Sequence, residues 1–123
     1  MEKEDLEIKA LREEFVQSFS DRRNLLLAYI KELSQSTESH PHWKELCEKI
    51  QFIAHKLAGI AESYGFSVIS QITTGIDDYL DRKTCRQTDL LLMIALLEEA
   101  LKKSMSGVDP VELKQDPRFI FFA

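Results

Sequence analysis

Between Pro41 and Gly65 apolar residues return at the spacing of an α-helix, and this segment constrains the fold more than any other. On a wheel of about 100° per residue, Leu46, Ile50, Ile53, Leu57, Ile60, Ala61 and Tyr64 share a stripe roughly 100° wide, the width of a core-facing surface. A helix with one such face is stable in water only when other elements cover that face. Pro41 suits its first position, because the fixed φ is helical and the missing N–H would be unpaired there. Gly65 is expected to end it near Tyr64 in a left-handed cap.

The rest of the chain offers helices as the cover. It has four Gly and three Pro, too few for the turns of a sandwich or barrel. Leu6, Ile8, Leu11, Phe15 and Phe19 mark a first helix from Glu4 to Phe19. Ser20 reads as the N-cap of a second, with Asp21 in its first turn and Leu26, Leu27, Ile30 and Leu33 on one stripe. A fourth helix spans roughly Phe66 to Asp81, with Ile69, Ile72, Ile76 and Leu80 inward. Thr88 and Asp89 open a fifth, from Leu90 to about Met105, apolar on most faces and therefore central; Gly107 and Pro110 end it. The expected fold is all-α: one domain over residues 1–123, an antiparallel four-helix bundle with an additional N-terminal helix. The C-terminal segment 107–123 ends Phe119-Ile120-Phe121-Phe122-Ala123, too apolar to lie in water, and is expected to pack over an open seam of the bundle.

Charge and cysteine usage narrow the function classes. The net charge is −5, with no basic run longer than Arg22-Arg23 or Lys102-Lys103, which argues against a nucleic acid partner. The densest apolar run, Leu90 to Leu97, is well short of the ~20 residues that span a bilayer. The charged start Met-Glu-Lys-Glu-Asp is followed by no signal-type apolar stretch. A cytoplasmic protein with no membrane association is expected. Cys47 and Cys85 sit in helical patterns and read as reduced, half-buried thiols.

On the same wheel His55 lies about 160° from the centre of the core stripe, facing solvent. Gln51, Phe52, Ala58 and Gly59 are its neighbours one turn away, with Glu48 and Glu62 two turns away. Two of these residues fit stability poorly. Gly59 sits mid-helix, where Gly costs about 1 kcal/mol relative to Ala. Phe52 places a large apolar ring on the flank away from the core. Both make sense if another molecule approaches the backbone beside His55, with Ala58 and Gly59 leaving a gap and Phe52 anchoring the partner. The plain reading is a surface histidine on a solvated face.

The segment Ala54-His55-Lys56-Leu57-Ala58-Gly59-Ile60-Ala61, followed by Tyr64-Gly65-Phe66, resembles the signature of histidine phosphotransfer domains. In that family a phosphorylatable His is followed by an aliphatic residue at +2, Gly at +4 and a helix-ending Gly at +10, met here by Leu57, Gly59 and Gly65. The resemblance continues through Ile69, Ile72 and Ile76-Asp77 and covers roughly Ile50 to Asp77. Many members carry Lys at +3; here that position is Ala58, and Lys56 at +1 projects toward a different flank.

The resemblance implies a phosphocarrier that relays a phosphoryl group on His55 between receiver-domain aspartates of a multistep two-component relay. The partners would be response-regulator receiver domains and hybrid or sensor histidine kinases, and the carrier a monomer. The docking face would comprise Gln51, Phe52, Lys56, Ala58, Gly59 and Glu62, joined by residues of the facing helix such as Gln71 or Asp77. The chain would need no cofactor of its own, with the magnesium ion and the acidic pocket supplied by the receiver. No Gly-rich phosphate loop or kinase signature is present, so an enzyme with its own nucleotide site is not expected. The alternative is a bundle that binds and inhibits a kinase or receiver without phosphotransfer, with His55 dispensable.

Other clusters read more plainly. His40-Pro41-His42 with Cys47 matches no standard zinc spacing and lacks a fourth ligand, so it reads as a polar loop and no metal site is expected. Trp43 is expected in or near the core. Glu13-Glu14, Asp77-Asp78 and Glu98-Glu99 read as solvated acidic faces.

Overall fold

The structure, a computed structural model, describes residues 3–82 and 85–122, and within them the side chains of all but 3–5, 8 and 120–122. The helical periodicity becomes α1 (Lys3–Gln17), α2 (Phe19–Ser34), α3 (Trp43–Ser63), α4 (Ser67–Leu80), α5 (Gln87–Met105) and a short α6 (Pro110–Lys114), with a 3₁₀ segment over Pro117–Phe122. No strand occurs among the described residues. Helices α2 to α5 form the antiparallel bundle, and α1 is the additional helix, packed on α2 and α5. Cross-links between helices fix the directions. Arg23 of α2 pairs with Glu98 of α5 at 2.6 Å, while at the opposite ends Gln87 donates to the Leu33 carbonyl.

The core follows the apolar stripes. Phe19, Leu33, Leu57, Ile69, Ile72, Ile76, Leu90, Ile94, Leu97 and Leu101 are fully buried. Each buried aliphatic side chain stabilises the fold by about 1.5–3 kcal/mol. At one end four rings clamp the α1–α2 junction onto the α3–α4 hairpin. Phe15 lies 4.7 Å from Phe19 and 5.1 Å from Tyr64, and Phe66 lies 5.6 Å from Phe19. The Phe15–Phe19 and Phe19–Phe66 pairs meet edge to face, which stabilises them beyond the area they bury.

Helix starts differ from the sequence reading. Helix α2 begins at Phe19 after Ser18, not at Ser20, because α1 and α2 are separated by Ser18 alone. The Ser18 hydroxyl donates back to the Phe15 carbonyl and accepts from Arg22, so it caps no N–H. Pro41 lies in the turn before α3, whose first residue is Trp43. Helix α5 opens at Gln87, with Asp89 inside its first turn. Helix α1 ends at Gln17, two residues before the expected Phe19, whereas α3 and α5 end at their glycines as expected. Gly65 takes φ +83°, with Phe66 N–H donating to Ala61 and Gly65 N–H to Glu62, and Gly107 does the same for α5 at φ +101°.

Several side chains also fall elsewhere than the stripes predict. Leu6, Leu11 and Leu27 are exposed, and Tyr29 takes the inward place on α2. The side chain of Ile8 lies outside the described residues. The short α6 was not legible as a helix; Asp109 caps it, accepting from the N–H groups of Val111 and Glu112, with Pro110 at its start. The C-terminal segment does pack on the bundle: the 3₁₀ segment lies against α4 and α6, and Phe119 is fully buried. The expectation for Ile120, Phe121, Phe122 and Ala123 falls on side chains outside the description. Glu98 is not solvated but tied to Arg23, and Trp43 packs half-buried against the core.

Candidate functional site

On α3 the buried face is Leu46, Ile50, Ala54, Leu57 and Ala61, turned by about 30° from the predicted stripe. Ala54 replaces Ile60, which is 37% exposed. The two alanines, Ala54 and Ala61, leave room for α4 to lie close along this flank. The rotation has a chemical consequence, because it carries the edge of the face bearing Gln51 and His55 toward α4.

His55 stands out from α3 with its side chain 79% exposed, as the wheel predicts. Its ring is not free, however. Nδ1 lies 2.9 Å from Asp77 Oδ2 on α4, and that carboxylate is 23% exposed. Asp77 is thus no solvated face residue. Its other oxygen, Oδ1, accepts from Gln51 Nε2 at 3.0 Å, and the same amide donates to Asp81 Oδ1 at 2.7 Å. The hydrogen bond with His55 holds the Asp77 carboxyl below its usual value; desolvation opposes this, and the Gln51 bond adds to the lowering. An ionised carboxylate accepts only, so at neutral imidazole the proton between the pair belongs to Nδ1. Nε2 is then left with its lone pair, directed away from α4.

The remaining predicted docking residues surround this pair. Phe52 is 63% exposed, and Lys56 Nζ sits 4.8 Å above its ring, a cation–π contact that holds this lysine on the far flank. Gly59 and Glu62 are exposed, and Ala58 is half-buried toward α4. A Cβ built on Gly59 meets nothing within 4 Å, so no internal packing demands glycine there. Gln51 is brought to His55, but its amide is turned inward to α4 and is no free docking group. Gln71 is half-buried and makes none of the hydrogen bonds at His55. Glu48, Gln51, Phe52, His55 and Asp77 line a shallow cleft of about 320 Å³.

A larger cavity, about 800 Å³, opens between α1 and the turn after α5, lined by Arg12, Val16, Phe66 and Val108 among others, with no histidine or cysteine in its wall. At the start of α3, His40 and His42 lie with ring centroids 5.3 Å apart, and among the described residues no group of three or more His, Cys, Asp or Glu side chains is arranged to hold a metal ion. Cys47 and Cys85 are free and half-buried, and burial pushes the Cys47 thiol up to about 11. No described helix is long and apolar enough to cross a membrane.

Asp77 is expected only as a docking residue of the facing helix; its bond to His55, and Asp81 beyond it, are what the reading of α3 alone missed. A signal for them was present. Gln51 and His55 are four apart on one helix, Asp77 and Asp81 four apart on the next, and a short antiparallel hairpin sets 55 opposite 77 and 51 opposite 81. No family model, curated protein or solved structure matches this chain.

Proposed function

We propose that this protein is a histidine phosphocarrier, which accepts a phosphoryl group on His55 Nε2 from the aspartyl phosphate of a receiver domain and passes it to another. The observation that carries the reading is an exposed imidazole whose Nδ1 is tied to the Asp77 carboxylate, on a helix face opened by Gly59. Phosphoryl transfer asks for an in-line nucleophile and charge stabilisation, and little covalent work. The Nε2 lone pair attacks phosphorus, the P–N bond forms, the P–O bond to the donor aspartate breaks, and the aspartate leaves as carboxylate. Nδ1 keeps its proton throughout, so the ring becomes positive as the bond forms. Asp77 at 2.9 Å stabilises that developing charge without moving. Return of the phosphoryl group to a second aspartate is the same step reversed.

The face around the nucleophile fits a protein partner that brings its own phosphate site. Phe52 offers an apolar anchor, and the Gly59 gap lets a surface approach the α3 backbone. A magnesium ion and the acidic pocket would belong to the receiver. Ala58 supplies no cation at the position where the resembling family often has Lys, so neutralisation of the phosphoryl oxygens falls mainly to the partner.

The test is phosphoryl uptake from receiver domains charged with a small phosphodonor. Wild type should acquire an acid-labile, alkali-stable label and His55→Ala none, with unchanged helicity. Absence of label from a broad receiver panel would refute the carrier reading. Binding that survives His55→Ala but is lost in Phe52→Ala, without any label, would favour an inhibitor that acts by occupancy.

A further inference from the structure

Beside His55 lies a chain of side chains that continues past Asp77: imidazole, Asp77 carboxylate, Gln51 amide, Asp81 carboxylate. The orientation of the amide follows from its surroundings. Three oxygens lie within hydrogen-bond reach of its nitrogen: Asp81 Oδ1 at 2.7 Å, Asp77 Oδ1 at 3.0 Å and the Asp77 carbonyl at 3.3 Å. The amide oxygen in that place would face three acceptors and no donor. The two N–H bonds therefore go chiefly to the two carboxylates, with the carbonyl sharing the one aimed at Asp77.

A carboxylate on a short side chain turns about its last torsion over a broad range. Asp77 is fixed only if both oxygens are engaged, one by His55 and one by Gln51. Without the Gln51 bond, two carboxylates one turn apart at the C-terminal end of α4, Asp77 within it and Asp81 capping it, repel each other, and Asp77 is free to turn toward solvent. We propose that Gln51 is a positioning residue, acting through Asp77: it pins Oδ1 so that Oδ2 faces His55 Nδ1, and so keeps the nucleophilic Nε2 unprotonated. The tautomer effect is a property of the resting protein; only its consequence for transfer rests on the phosphocarrier reading. The same role gives the sequence reason for glutamine here. A glutamate would add a third negative charge with no donor, and a methionine would fill the space without bonding.

The experiment is two-bond ¹H–¹⁵N correlation spectroscopy on the full chain near pH 8, where a free imidazole is neutral. It reads which ring nitrogen of His55 carries the proton. Wild type should show Nδ1–H with a bare Nε2. In both Gln51→Met and Gln51→Glu the preference for Nδ1–H should fall at least about threefold, and further in Asp77→Asn, since a charged acceptor biases the proton more than a neutral one. Circular dichroism and the unfolding midpoint check that the bundle persists. An unchanged tautomer ratio in the Gln51 variants, or retention of Nδ1–H in Gln51→Glu, would overturn the positioning role. A shifted tautomer in a protein that accepts phosphate from no receiver would uphold that role while the carrier reading fails. Where transfer is seen, its rate should fall in Gln51→Met by the same factor as the loss of the Nδ1–H form.

Discussion

Replacing Gly59 with alanine should make the protein more stable and leave its structure unchanged. Gly59 lies inside α3, its φ is not left-handed, and an added Cβ meets nothing within 4 Å. The methyl group thus adds no clash and only removes backbone freedom from the unfolded chain. For a helix interior the gain is about 0.5–1 kcal/mol. For a domain of this size that corresponds to a rise of roughly 2–6 °C in Tm. Gly59→Gln should keep most of the gain, because Gln is also a good helix former, but its side chain stands in the gap one turn from His55. Phosphoryl transfer from a receiver should then slow at least about tenfold while stability rises, an opposition that a purely structural glycine cannot produce. Urea unfolding followed by circular dichroism supplies the first quantity and stopped-time label transfer the second. A destabilised Gly59→Ala would refute the view of an open helix face. A stable Gly59→Gln that transfers at the wild-type rate would refute a docking role for the gap.

Further outcomes follow from the same structure. Phe19→Ala removes a fully buried ring in contact with Phe15 and Phe66 and should cost about 3–5 kcal/mol, read from the urea midpoint. Gly65→Ala forces a Cβ into φ +83° and should cost about 1–2 kcal/mol, with the loss seen as a lowered Tm and no change in helicity. Asp77 and Asp116 are both held below the usual carboxylate value, Asp77 chiefly by His55 and Asp116 chiefly by Arg118. Their stabilising contributions are complete above the unfolded value of about 4 and are lost as pH falls through the lowered folded values. Stability should therefore decline on acidification below pH 4, and Asp116→Asn should flatten that decline in urea titrations at stepped pH.

How much of this was legible beforehand differs by element. Helix α3, its glycine stop and the outward His55 were readable, because one long apolar stripe fixes what faces the core and so what opposes it. The starts of α2, α3 and α5 were not, since Ser20, Pro41 and Thr88 are only favourable starts and the actual boundaries depend on the turns leading into them. Within the acidic pairs, Glu13, Glu14 and Asp78 are exposed as expected, while Asp77 and Glu98 were misread for a similar reason. A carboxylate on a helix surface looks solvated until the opposite helix is placed, and α4 puts Asp77 against His55 as α5 puts Glu98 against Arg23.

Hydrophobic periodicity acts within one helix and needs no partner to be read, and it suffices to make the chain a helical bundle with His55 turned away from the core. What His55 is bonded to depends instead on how the helices pack. Ala54 and Ala61 let α4 settle close on one flank of α3, and the register of that hairpin, set across the Gly65 turn, brought Asp77 to Nδ1 and Gln51 between two carboxylates. Such bonds span more than twenty positions of chain and act over about 3 Å, so they are decided by packing and not by local pattern.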